Sequence, residues 1–213
     1  MKVLVVCARR YNGHELWTAL GVMRERDIDF EVISTANVVF DEVTYQPNKL
    51  ARTIDNVEPD ELSEFDGLMI VSGNMADTEL YWHHKTVLEY VRQADKQEKP
   101  IAAICCSVPT IREAARGKKV SFFPLVRSRE LLSNAGAILQ TVALSVDERL
   151  VTAEHQMASQ MWANAYSDVM HGIDHEVKLV DSGYVPKGRE RKPIPIVEKI
   201  KRIQEAKSGT TLE

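Results

Sequence analysis

The sequence predicts an α/β fold: a doubly wound, mainly parallel sheet sandwiched by helices. Three observations carry this expectation. Four segments, 2–8, 29–35, 64–74 and 100–106, read as strands, and the first is a continuous apolar run with β-branched residues, consistent with burial on both faces. Segments with helical spacing of apolar residues lie between them. Strand and helix therefore alternate, the order that parallel crossover units produce.

Taken in order, KVLVVCA (2–8) is the first strand. Residues 15–26 place Leu16, Leu20 and Met23 on one helical face. DFEVIST (29–35) is the second strand. Residues 36–60 have no clean period and contain Pro47 and Pro59, which reads as a connecting excursion with a short hairpin. EFDGLMIVSGN (64–74) is a third strand ending at Gly73. Residues 77–96 keep helical spacing through Leu80, Val87, Leu88 and Val91. PIAAICC (100–106) is the fourth strand, and SVPTIREAARG (107–117) a helix stopped by Gly117. KKVSFFPL is an edge strand or loop, followed by a short helix near 127–135. ILQTVALSVDERLVTA (138–153) reads as two short strands around the turn at Asp147–Glu148. A helix over 157–171, a late edge strand at 176–180 and a helix over 194–207 complete the expectation. The chain divides into an α/β domain, 1–183, and a basic, partly helical extension, 184–213, with a disordered end.

Composition narrows the function classes. With 213 residues, 44% hydrophobic and 27% charged, one domain can bury a core without staples. No apolar run approaches the roughly 18 residues of a membrane span, and the first apolar stretch is too short for a secretory signal. Three cysteines, at 7, 105 and 106, are an odd count that implies no disulfide framework. A reducing cytoplasm is the expected setting, with no membrane partner. The net charge of −4 argues against a nucleic-acid partner. Residues 185–207 hold eight Lys or Arg and three Glu, a local +5, which leaves −9 for the rest. That segment docks on a body or a partner subunit, or is a solvated helix.

In open parallel sheets, ligands bind beyond the carboxyl ends of the strands. This rule selects residues 9–15, 72–77 and 105–109. Cys105 stands where the fourth strand turns into a helix. A thiol at a helix N-terminus meets unpaired N–H groups and the positive dipole end, so a thiolate is expected there. The outline is a nucleophile elbow with Cys in place of Ser. The backbone N–H groups of Cys106 and of Gly73 or Asn74 are candidates for an oxyanion hole, with Gly73 letting the backbone approach a ligand. The bland reading, two small residues filling a core, stands beside it. Cys106 is read as a small neighbour, with a resolving thiol as the other reading.

The motifs resemble those of the ThiJ/PfpI family, the superfamily of the Parkinson-linked protein DJ-one. IAAIC with a nearby Pro is similar to its A-I-C-[HA]-G-P nucleophile motif, preceded by EKP (98–100). SGN (72–74), GKKVSFFP (117–124), LLSNAGA (131–137), VDERLVTA (146–153) and HEL (14–16) follow the family order over about residues 1–172. The resemblance implies a flavodoxin-like, class I glutamine amidotransferase-like fold. It implies Cys105 as nucleophile and Glu15 as the acid whose carboxyl touches the thiol; the alternative for Glu15 is a first-turn carboxylate on the helix dipole. It matches Asp77 to an acid that orients a neighbouring subunit's His. His155, at the place of a catalytic His in more distant glutamine amidotransferases, is a candidate general base or a helix cap. His83 and His84 are adjacent on one expected helix and do not converge on a metal.

Cys106 stands where the hydrolase-like branch has His, and Phe123 replaces another His. Both departures speak against a PfpI-type peptidase. The implied protein acts on a small electrophilic substrate by glyoxalase, deglycase or amide-hydrolase chemistry, without metal or cofactor. It is expected to be a homodimer, with Met75, Tyr81, Trp82 and residues 157–162 as candidate contacts, each of which equally suits the core. The alternatives are a non-catalytic redox or stress-response protein whose Cys105 oxidises to a sulfinate, and a structural relative with a residual pocket.

Overall fold

In the computed structural model, which describes residues 1–173, the chain runs through eleven strands and five α-helices. In order these are β1 (Lys2–Cys7), β2 (Arg10–Tyr11), α1 (Gly13–Glu25), β3 (Asp29–Ile33), β4 (Val38–Asp41), β5 (Pro47–Lys49), β6 (Gly67–Val71), α2 (Met75–Tyr81), α3 (Lys85–Lys96) and β7 (Ile101–Ile104). There follow β8 (Lys119–Ser121), α4 (Val126–Asn134), β9 (Ile138–Gln140), β10 (Leu144–Asp147), β11 (Leu150–Ala153) and α5 (Ser159–Met170).

The main sheet has six strands in the order β10-β11-β7-β6-β1-β3. Every pair is parallel except β10 with β11. The expected doubly wound, mainly parallel sheet is thus present. Its period-2 alternation serves two cores. Val3, Val5 and Cys7 of β1 pack with Leu16, Ala19 and Leu20 of α1 and Trp162 and Tyr166 of α5. Leu4 and Val6 turn the other way, to Val87, Tyr90 and Val91 of α3 and to Ile54, Leu62 and Phe65. Because both faces are covered, the strands need no polar alternation. Each buried aliphatic side chain contributes about 1.5–3 kcal/mol of transfer free energy.

The excursion at 36–60 does form the expected hairpin, β4 antiparallel to β5, and β2 adds to its edge in parallel. Residues 138–153 hold the expected β10–β11 pair and also β9, which pairs with β8. The expected helix at 77–96 is broken into α2 and α3. The reason is a pair of adjacent aromatics, Tyr81 and Trp82, that are both fully buried. Neighbours on a continuous helix diverge by ~100°, so the break lets both enter the core. The Tyr81 hydroxyl donates to the Cys7 carbonyl at 2.6 Å. Tyr81, Trp82 and Trp162 are therefore core residues, not subunit contacts, whereas Met157 is exposed. The strand expected at 176–180, the helix at 194–207 and the 183/184 boundary lie outside the described residues.

Gly73 needs to be glycine for a reason internal to the fold. It bridges to Tyr11, and a Cβ there would sit 2.0 Å from the Arg10 carbonyl oxygen. The close approach is to its own backbone rather than to a ligand. Gly21, inside α1, has nothing within 4 Å of the same virtual atom. Two substitutions of identical chemistry should thus have opposite signs in urea unfolding. Gly73→Ala is expected to lose about 1–3 kcal/mol through overpacking. Gly21→Ala is expected to gain about 0.5–1 kcal/mol through helix propensity.

Candidate active site

The site begins where β7 runs out. Ile104 pairs with Ala153 of β11, and the next residue, Cys105, takes φ +57°. For a residue with a Cβ the left-handed region costs about 1–2 kcal/mol, so the surroundings must hold it. Ser107 does so from below: its Oγ accepts from the Ile104 N–H at 3.1 Å and lies 2.8 Å from the Ile70 carbonyl and 2.7 Å from that of Ile104. Trp82 does so from the side, its indole N–H donating to the Cys106 carbonyl at 2.8 Å. The segment that follows is a 3₁₀-helix, Cys105–Ile111, rather than the expected α-helix. Pro109 sits inside it; proline has no N–H to give to a carbonyl four residues back, and its ring clashes there.

Glu15 approaches from α1. Asn12 caps that helix, its side-chain oxygen accepting from the Glu15 N–H at 3.1 Å. The Glu15 side chain is fully buried. Its Oε2 accepts from the Ser72 N–H at 3.0 Å and from the Ser72 hydroxyl at 2.7 Å. Among the described residues its Oε1 has no hydrogen-bond partner. Burial pushes the carboxyl well above the usual range, and the charge of Cys105 pushes it further, against the two Ser72 donors. With both donors on Oε2, the proton belongs on Oε1.

The thiol of Cys105 is also pushed up. Its Sγ lies 3.6 Å from the Cys106 Sγ, and that neighbour is the largest cause, followed by burial. The Ser72 hydroxyl and the Cys106 N–H act in the opposite direction. The helix-dipole argument for a thiolate loses its basis, since a 3₁₀-helix rather than an α-helix begins here, and the second thiol works against the anion.

Several other candidates are engaged elsewhere. The Gly73 N–H donates to the Thr78 hydroxyl at 3.1 Å, and the Asn74 N–H to the Arg10 carbonyl at 2.7 Å. Neither is a spare oxyanion donor. The Cys106 N–H turns toward the Cys105 sulfur. Asp77 is clamped within its own chain by Arg10, at 2.8 Å to Nε and 3.1 Å to a terminal nitrogen, which holds its carboxyl below the usual range. Within its own chain its partner is Arg10. His155 leaves the sheet two residues beyond Ala153, with its ring stacked on Phe123. Its Nδ1 accepts from the Met157 N–H at 3.3 Å and caps the 3₁₀-helix Gln156–Ala158. Burial lowers its pKa, and a neutral ring that accepts at Nδ1 carries its proton on Nε2. The lone pair a general base needs is spent on the cap. His83 and His84 lie in the break between α2 and α3, where His84 is the N-cap of α3.

Sequence reasoning missed Ser72, which holds the Glu15 carboxyl through Oε2 and acts electrostatically on Cys105. It also missed the rim: the Asn12 amide donates to Glu42 Oε1 at 2.8 Å and to the Gln156 side-chain carbonyl. The Asn12 role had a signal, since N-G-H-E (12–15) places a capping residue three before a Glu. Glu42 and Gln156 had none. Among the described residues no group of three or more His, Cys, Asp or Glu is placed to hold a metal ion. Nor is any helix among them long and apolar enough to cross a membrane.

Comparison with known proteins follows the same lines. The profile of the DJ-1/PfpI family matches residues 1–168. An uncharacterized protein of Methanocaldococcus jannaschii is 28% identical over 156 residues, 72% of this chain and 74% of that one. A ThiJ/PfpI domain protein from Brachyspira murdochii superposes with a TM-score of 0.71 at 16% identity, covering 81% of this chain and 98% of that chain. Schizosaccharomyces pombe DJ-1 superposes with a TM-score of 0.67 at 16% identity, covering 82% and 100%. These two share the fold.

The protonation of Glu15 makes a prediction for stability. Between the ordinary Glu value of 4.5 and the raised folded value, the native state holds a proton that the unfolded chain has released. Stability therefore falls as pH rises through this window, by up to about 1.4 kcal/mol per unit. Glu15→Gln keeps the shape without the titration. Its stability relative to wild type, measured by urea unfolding from pH 5 to 8, is expected to improve steadily with pH.

Proposed function

The chain belongs to the DJ-1/PfpI family, and from the geometry of its elbow we propose that it is a cysteine-dependent enzyme acting on a small electrophilic carbonyl compound, an α-oxoaldehyde first among them. The observation that carries this reading is the buried Oε1 of Glu15, which has no hydrogen-bond partner among the described residues and is charge-coupled to Cys105. A protonated acid with nothing of its own to bond is a proton donor in waiting.

The reaction starts from a neutral thiol. The S–H bond of Cys105 breaks as its sulfur bonds to the aldehyde carbon. The carbonyl oxygen takes the Glu15 proton, and Glu15 recovers the one the thiol releases. In the hemithioacetal so formed, Glu15 gives its proton to the adjacent carbonyl oxygen and takes one from the former aldehyde carbon, leaving an enediol; it then protonates the adjacent carbon and takes the proton of the first hydroxyl, giving a thioester. Water hydrolyses the thioester to a 2-hydroxy acid and restores the thiol. Ser72 holds the carboxyl through Oε2 and leaves Oε1 to the substrate. The reading calls for no metal or organic cofactor, and places the protein as a homodimer in the cytoplasm. The acidic Glu42 on the rim suits a neutral substrate better than an anionic one.

The test is turnover of methylglyoxal to lactate by the purified chain. Cys105→Ser should abolish it, and Glu15→Gln should lower kcat by about 10²-fold or more, the usual worth of a positioned acid. His155→Ala should leave the pH profile of kcat/KM in place, because the ring is a cap. Full activity of Cys105→Ser would end the proposal.

A further inference from the structure

Two thiols side by side make a second kind of site at the elbow. Cys105 Sγ and Cys106 Sγ are 3.6 Å apart. That gap is far wider than the roughly 2.05 Å of a disulfide bond. It is well spanned by one soft atom making two bonds of about 2.3 Å, the length of a metal–thiolate bond. The pair is also fixed in place. Cys105 is held at φ +57°, and the carbonyl of Cys106 is pinned by Trp82. Cys105 is partly exposed, so the pair is reached from its side. Charge-coupled to it is the fully buried Glu15, whose Oε1 has no hydrogen-bond partner among the described residues.

We infer that Cys105 and Cys106 form a two-thiol site for trivalent arsenic, with Glu15 Oε1 as hydrogen-bond partner of the one hydroxyl the arsenic retains. Arsenous acid carries three hydroxyls. Two As–O bonds break and two As–S bonds form; each thiol proton leaves on a hydroxyl as water. No electron changes hands, and no oxidant or reductant is needed.

This chemistry suits a Cys105 thiol that holds its proton, because a leaving hydroxyl removes it. A divalent cation must instead expel both protons to solvent, and among the described residues it finds no group of three ligands. Peroxide attack also needs a thiolate. The third cysteine, Cys7, takes no part: it is fully buried in the β1 core, its thiol pushed up to about 12 by desolvation.

The inference does not depend on turnover, and its readout is mass. The full chain is titrated with arsenite at pH 7 and examined by intact mass spectrometry under native conditions. One arsenic per chain is expected, released by 2,3-dimercaptopropanol. Cys7→Ser should bind as wild type does. Cys106→Ser should bind at least about 100-fold more weakly, having lost the second arm of the chelate. Independently of any variant, saturating arsenite should protect Cys105 from iodoacetamide, and prior alkylation should block arsenite. Absence of an adduct, equal binding by Cys106→Ser, loss of binding in Cys7→Ser, or undiminished labelling of Cys105 would each overturn the site.

Discussion

The backbone of Cys105 is bent into the left-handed region at the point where β7 ends, and most of the site is arranged to keep it there. The bend turns the chain off the sheet edge and presents the thiol rather than packing it. Its cost, about 1–2 kcal/mol, is comparable to one or two good hydrogen bonds. The Ser107 hydroxyl and the Trp82 indole supply such bonds from the two sides. Trp82 can do so only because the helix at 77–96 breaks, and the break exists because two adjacent aromatics must both be buried. The core and the site are thus coupled through one residue.

Once the thiol is presented, its environment keeps it neutral. Cys106 lies against it, burial disfavours the anion, and Glu15 beside it is itself too buried to ionise readily. A carboxylate and a thiolate that feel each other's charge in a dry pocket would each raise the free energy of the other. Two protonated groups avoid that. The resting site therefore stores protons rather than charge. An electrophile that accepts a proton as it is attacked meets what it needs, while a reaction requiring a standing thiolate does not.

The fold was legible in the sequence because double burial leaves a plain mark: the strands 2–8 and 100–106 are apolar throughout, without alternation. The place of Cys105 at the end of β7 was legible as well, since ligand sites in such sheets gather at strand ends, whereas Glu15 was reached through the family resemblance. What escaped the sequence depends on partners distant along the chain. Ser72 reaches Glu15 across 57 residues, and Asp77 reaches Arg10 across 67. Either could only be paired once the sheet order was known. The α-helix expected after Cys105 failed on a local feature, Pro109, whose missing N–H favours the tighter turn. The expected role of Gly73 failed differently: the need for a bare Cα was correctly sensed, but the neighbour is the Arg10 carbonyl rather than a ligand.

The central claim is that Glu15 is protonated at neutral pH, with that proton on the oxygen not bonded to Ser72. Infrared difference spectroscopy of wild type against Glu15→Gln at pH 7 reads this directly. The account predicts a protonated-carboxyl C=O band that is absent from the variant and shifts when Cys105 is alkylated. A difference spectrum showing only carboxylate bands at that pH would contradict it.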